Sequence, residues 1–253
     1  YIRILRTRLI INPAYQELED FIRNLPETFD FTGETIYDGR NTIKIIDTKS
    51  IRVNVKSFQK PNIINKFVYG NFRKSKAQRS FEYANILIKN KIDTPTPIGY
   101  MELRSGLSFG QSYYISVQED FDGIMREFQR GTLAGRENLL QQFAQFTADM
   151  HEKQILHMDY SPGNILYKKS GESFRFYLVD LNRMFFGQIS KEKGCQNFCR
   201  LWGNEEMISY IASEYAKARD FDIKTGIELT LSYHREFWTK FSSRHPGKKP
   251  YIE

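Results

Sequence analysis

The chain has 253 residues, which at ~150 residues per domain is enough for one large two-lobed domain or two small ones. Its composition, 40% hydrophobic, 15% aromatic and 26% charged, excludes the disordered and collagen-like classes, and no apolar run reaches the ~18 residues that span a bilayer. The charge balance, 37 basic against 30 acidic residues for a net +7, favours anionic partners without choosing among nucleic acid, nucleotides, phosphorylated sugars and acidic lipid.

The first ten residues carry Arg3, Arg6 and Arg8 with no apolar signal region after them. Asn12-Pro13 then reads as a helix N-cap with proline in the first turn, and Leu18, Phe21, Ile22 and Leu25 recur at helical spacing until Pro26, so residues 1–32 are expected to form a helical extension. Beyond it the apolar period changes to two. Thr35–Tyr37, Thr42–Asp47 and Ile51–Phe58, separated by turns at Asp38–Asn41 and Thr48–Ser50, predict a β-meander. In its third strand Ile51, Val53 and Val55 share one face, and Lys56 projects from the other. A helix is predicted from Ala77 to Lys89, with Phe81, Ala84 and Ile88 on one side and Glu82 among them, ended by Thr94-Pro95-Thr96-Pro97. Ile98–Leu103 and Tyr113–Gln118 read as two more strands. Leu139, Phe143, Phe146 and Met150 then mark an amphipathic helix. Short strands near Ile165–Tyr167 and Arg175–Val179 precede a helical end from about Cys195 to Phe241. The expected fold class is α+β, with a β-rich lobe over residues 1–118 and a mostly helical lobe over 119–253.

The chemistry concentrates in His157-Met158-Asp159-Tyr160-Ser161-Pro162-Gly163-Asn164, followed after a strand by Val179-Asp180-Leu181-Asn182-Arg183. The first segment fits H-x-D-x-x-x-x-N, the catalytic loop of the protein-kinase-like fold, and Asp180 stands where the metal-binding aspartate of the D-F-G segment belongs. In phosphoryl transfer an aspartate orients the attacking hydroxyl and accepts its proton, which is the role expected of Asp159. An asparagine and a second aspartate, here Asn164 and Asp180, hold Mg²⁺ against the nucleotide phosphates. Lys56 on the third strand and Glu82 on the next helix occupy the places of the phosphate-binding lysine and its carboxylate partner. Four features in order on the expected elements are far more specific than any one of them.

Within that superfamily the sequence resembles the lipopolysaccharide kinases of Gram-negative bacteria, over roughly residues 30 to 225. The resemblance rests on Gly33–Asn41 (GETIYDGRN), Ile51–Phe58 (IRVNVKSF), His157–Leu166 (HMDYSPGNIL) and Tyr177–Met184 (YLVDLNRM). It implies a two-lobed fold that uses ATP and Mg²⁺ to phosphorylate Kdo or heptose in a lipid-linked inner-core oligosaccharide, at the cytoplasmic face of the inner membrane. The nucleotide-covering turn departs from G-x-G-x-x-G. Gly39 is its one glycine, so Arg40 and Asn41 would supply donors that backbone N–H groups usually give. Asn54 stands where kinases usually carry a small alanine, Ser161 replaces the lysine common in Ser/Thr kinases, and no A-P-E follows Asp180. These departures favour a glycan or small acceptor over a peptide, while a protein acceptor and a non-catalytic scaffold stay open as alternatives.

The plainer readings are as follows. His157 is expected to be architectural, because Asp159 already fills the base role, and Arg183 is balanced between binding phosphate and pairing locally. His151-Glu152 lacks the i, i+4 histidine pair of a zinc site, and Cys195 and Cys199 read as buried thiols in a reducing cytoplasm. The basic groups Arg3/Arg6/Arg8, Arg73/Lys74/Lys76/Arg79 and Arg244/Lys248/Lys249 are dispersed, and no nucleic-acid motif accompanies them, so nucleic acid is not an expected partner. The second group, beside the Glu82 helix, would suit an anionic membrane surface.

Overall fold

The computed structural model describes residues 5–59, 74–105 and 108–247; Arg3, Arg73, Lys248 and Lys249 of the basic groups lie outside them. Contacts divide the chain into two units, Tyr1–Asp120 and Phe121–Glu253.

In the first unit the helical extension expected over 1–32 is corrected at its start. Leu5–Ile11 is a strand, β1, paired antiparallel with β5 (Pro97–Ser105). Its sequence has the two-residue period of a strand in Leu5, Thr7, Leu9 and Ile11, masked by the intervening arginines. Asn12 then caps the chain through an Oδ1 that accepts the Ala14 N–H at 3.1 Å, and a short 3₁₀ turn, Pro13–Leu18, leads into α1 (Glu19–Thr28). Pro26 lies inside α1 rather than ending it. So near the C-terminus its ring disturbs a single turn.

The meander forms as β2 (Glu34–Asp38), β3 (Asn41–Asp47) and β4 (Arg52–Phe58), and with β6 (Ser108–Val117) it completes a six-stranded antiparallel sheet of order β1-β5-β6-β4-β3-β2. One face buries Val53, Val55, Met101 and Ile115 against Ile22, Leu25 and Phe29, which places α1 on that side. Each such fully buried aliphatic contributes about 1.5–3 kcal/mol. The other face is also covered. There α2 (Lys76–Lys89), capped by Ser75 Oγ on the Gln78 N–H, packs Ala77 and Phe81 against Phe58 and Tyr100. Lys56 projects onto this second face as its register predicts, and is half-buried there. Within α2 the inward stripe is Ala77, Ser80, Ala84 and Leu87; Ile88, expected inside, is 45% exposed.

In the second unit α3 (Glu137–Glu152) buries Leu139, Leu140, Phe143, Ala144 and Met150. Two small sheets surround the loop that matters: β10-β9-β7, from Ser173–Leu178, Ile165–Ser170 and Gly123–Ile124, and β11-β8, from Met184–Phe186 and Ile155–His157. Strands of two or three residues are too short to leave a period in the sequence. The helical end resolves into α4 (Lys191–Asn197), α5 (Glu205–Ala218) and α6 (Ile223–Arg244). Phe143, Tyr160, Phe198 and Tyr215 form a chain of ring contacts at 4.9–6.2 Å that ties α3, α5 and the loop together. Among the described residues no helix is long and apolar enough to cross a membrane.

Candidate active site

The segment His157–Asn164 leaves β8 and enters β9 through a 3₁₀ turn at Pro162–Asn164. It is held by its own hydrogen bonds. His157 donates from Nε2 to the Val179 carbonyl at 3.0 Å, and its Nδ1 accepts the Asp159 N–H at 3.1 Å. With one nitrogen donating and the other accepting the ring is neutral, and complete burial holds it below the ordinary histidine range. This is the architectural role. The Asp159 carbonyl accepts from the Ser161 N–H at 2.7 Å and from Asn164 Nδ2 at 2.8 Å. Asn164 thus has its amide nitrogen engaged and its Oδ1 left as an acceptor.

Asp180 reaches the same place from the following hairpin, because the Val179 N–H donates to the Asn164 carbonyl at 3.0 Å. Its backbone is left-handed, φ 57°, a conformation that aspartate tolerates at a cost of about 1–2 kcal/mol. Asn182 Nδ2 donates to Asp180 Oδ1 at 2.5 Å. One carboxylate and one amide oxygen on adjacent, mutually bonded segments are hard donors of the kind that would hold Mg²⁺. The residues present therefore fit that ion.

Two residues that the sequence did not single out complete this part of the site. Arg200, just beyond α4, donates from Nη1 to Asp159 Oδ1 at 2.5 Å, with the two side chains 36% and 25% exposed. Asn197 donates from Nδ2 to the His157 carbonyl at 3.0 Å, while its Oδ1 accepts from His151 Nε2 at 3.2 Å. His151 Nδ1 in turn accepts the Tyr215 hydroxyl proton at 2.7 Å, and Arg219 donates to Tyr215 Oη at 2.8 Å. One segment, Lys191–Arg200, therefore grips both ends of the His157-Met158-Asp159 triplet. Nothing local in the sequence marks Arg200; its partner is 41 residues away.

Two measurable consequences follow from these contacts. With Asp159 as the proton acceptor that the sequence leads one to expect, replacing Arg200 by Met removes a charge-assisted hydrogen bond from it, so phosphoryl-transfer turnover is expected to fall roughly 10–100-fold, the range of ~1.5–3 kcal/mol, with nucleotide affinity unchanged. Steady-state kinetics with added guanidinium, which restores part of kcat, checks it; a purely structural Arg200 would show no rescue. Burial lowers His151 from 6.5 to about 3, and lowers His157 and His234 as well. The unfolded chain then takes up these protons first, so the stability that is complete above about pH 6.5 is lost as pH falls. The thermal midpoint is expected to drop from pH 7 to pH 5, and His151→Gln to flatten that slope.

The other expected site residues lie in the first unit. Lys56 Nζ sits 5.3 Å from the centre of the Phe58 ring. On α2 the Glu82 carboxylate accepts from Lys74 at 2.7 Å and from Gln78 at 2.8 Å. Lys74 precedes the Ser75 cap, so its long side chain runs along α2 and reaches the carboxylate two turns on. Gly39 and Arg40 form the tight β2–β3 turn, closed by Gly39 N–H to the Asn41 carbonyl at 3.2 Å, with Arg40 exposed. Asn54 is tied by its Nδ2 to Gln118 Oε1 at 3.0 Å, which gives that unusual residue a structural partner at the end of β6. The basic group proposed for a membrane is partly engaged internally, Lys74 with Glu82 and Arg79 with the Ser75 carbonyl.

Residues 47–206 match the model of the lipopolysaccharide kinase (Kdo/WaaP) family. No curated protein sequence matches the chain. Among solved structures the chain is similar to WaaP in complex with acyl carrier protein, with a TM-score of 0.63 and 12% identity over 94% of this chain and 99% of that one. A kinase domain, PknI of Mycobacterium tuberculosis, matches with a TM-score of 0.41 and 11% identity, over 76% of this chain and 74% of its own.

Proposed function

From the premise that the chain belongs to the lipopolysaccharide kinase (Kdo/WaaP) family, we propose that it transfers the γ-phosphate of ATP to a sugar hydroxyl, on Kdo or heptose, of the lipopolysaccharide inner core. The observation that carries this reading is the single hydrogen-bonded unit formed by His157, Asp159, Asn164 and Val179-Asp180. Asp159 receives the proton of the attacking hydroxyl, and Arg200 fixes its carboxylate and offsets its charge as the anionic phosphoryl group approaches. Asn164 Oδ1 and the Asp180 carboxylate are the groups that would hold Mg²⁺, which when bound neutralises charge on the β- and γ-phosphates. Lys56 and the Gly39-Arg40 turn supply the cation and donors for the nucleotide phosphates from the first unit. Glu82, whose carboxylate Lys74 and Gln78 hold on α2, is proposed to support Lys56 there.

The acceptor class is tested by offering γ-labelled Mg-ATP with dephosphorylated core glycans, a generic protein substrate and an aminoglycoside. Label on the glycan alone is expected. Label on protein or aminoglycoside would keep the chemistry and overturn the acceptor.

A further inference from the structure

Next to the His157–Asn164 loop, a second arginine has no hydrogen-bond partner among the described residues. Arg126 belongs to a short 3₁₀ turn, Met125–Gln129, anchored by the buried Met125 and Phe128. Its side chain is laid against the loop at Gly163, where an added Cβ would stand only 2.7 Å from Arg126 Nε. The guanidinium also lies over the ring of Trp202, 5.8 Å from its centre. Glycine at 163 is what allows that approach. Trp202 comes from the same stretch as Arg200: Leu201 is extended (φ −62°, ψ 150°) and buries its own side chain, while its neighbours on either side contact Asp159 and Arg126.

A guanidinium packed by its face against backbone and an indole keeps its in-plane N–H donors for a ligand, and their fork matches a carboxylate or phosphate. Arg200 spends one donor on Asp159, which leaves further N–H groups on its guanidinium. Arg200 is bonded to Asp159 and Arg126 packs on Gly163, four residues further along the same loop, so an anion held by these cations lies near the carboxylate proposed to meet the acceptor hydroxyl, while Asn164 and Asp180 are proposed for the metal. We infer that Arg126, supported by Trp202 and Gly163 and assisted by Arg200, is the acceptor-recognition site, binding an anionic group, carboxylate or phosphate, close to the hydroxyl that is phosphorylated. This rests on the kinase reading above, and it adds that the acceptor is recognised through its own negative charge.

The test reads acceptor binding directly, without turnover. Trp202 is the partly exposed tryptophan and Trp238 the buried one, so indole fluorescence of the whole chain reports on this site. Two probes are titrated without nucleotide: a dephosphorylated core glycan that keeps its carboxylates, and a phosphorylated core glycan whose carboxylates have been reduced. Wild type is expected to bind at least one, and Arg126→Ala to weaken that binding roughly 10–100-fold, with Arg126→Lys recovering only part. The probe whose affinity depends on Arg126 identifies the anion. In turnover, Arg126→Ala is expected to raise KM for the glycan while KM for Mg-ATP stays unchanged, the mark of lost uniform binding. Equal binding by wild type and Arg126→Ala, no binding of either probe, or a rise confined to the ATP KM would each overturn the inference. Phosphate transfer by wild type alongside any of these results would leave the kinase reading standing, so the two failures are distinguishable.

Discussion

Asp159→Ala is expected to lower turnover by roughly 10²–10⁴, the usual contribution of a positioned general base, while Mg-ATP still binds and protects the protein thermally. The reason is the division of labour in the loop. The Asp159 side chain is held by Arg200, whereas its backbone carbonyl and N–H carry the contacts to Asn164, Ser161 and His157 that shape the loop. Truncating the carboxylate therefore removes the proposed proton acceptor and spares the scaffold. Paired measurements of kcat and of nucleotide-induced thermal shift separate the two. A variant that turns over at the wild-type rate would remove Asp159 from the mechanism, and one that no longer responds to Mg-ATP would assign it to nucleotide binding.

The second large effect lies 21 residues on, at Asp180, and has the opposite signature. Asp180→Asn keeps a residue that tolerates the left-handed φ of 57°, so the fold is expected to hold and the apo thermal midpoint to stay near wild type. With Asp180 in its proposed metal-holding role, loss of the carboxylate is expected to weaken Mg-nucleotide binding by at least ~10–100-fold, the range seen when groups that merely support a metal ligand are removed. Titrating Mg²⁺ at fixed ATP checks it: the variant is expected to need far more metal for the same protection. Equal nucleotide affinity in the two proteins would count against the assignment.

Much of this site could be read along the chain, and the part that could not has a physical cause. Asp159, Asn164 and Asp180 were singled out from short stretches whose order and spacing match a phosphoryl-transfer loop, and hydrogen bonds bring these segments together. The meander was equally legible, because Val53 and Val55 alternate with Asn54 and Lys56 on a strand buried on one face by α1. Arg200 and Asn197 were not legible. Their partners are 41 and 40 residues distant, and the sequence between carries no repeating pattern. Strand β1 was missed for a different reason, since its arginines disguise the alternation that pairs it with β5. Glu82 lies on the expected helix, and its ion pair with Lys74, which precedes the helix cap, was not legible in the spacing.

The central claim is that Asp159, Asn164 and Asp180 form a phosphotransferase centre for a core sugar, and its most direct measurement is position-resolved phosphate transfer. Wild type and Asp159→Ala are incubated with Mg-ATP and a dephosphorylated core glycan, and ³¹P NMR follows the loss of the γ-phosphate and the appearance of a sugar phosphomonoester. The account predicts stoichiometric transfer to a sugar hydroxyl by wild type and its near-complete loss in the variant. ATP that binds wild type without transfer to any core glycan, or transfer that proceeds equally well without Asp159, would contradict it.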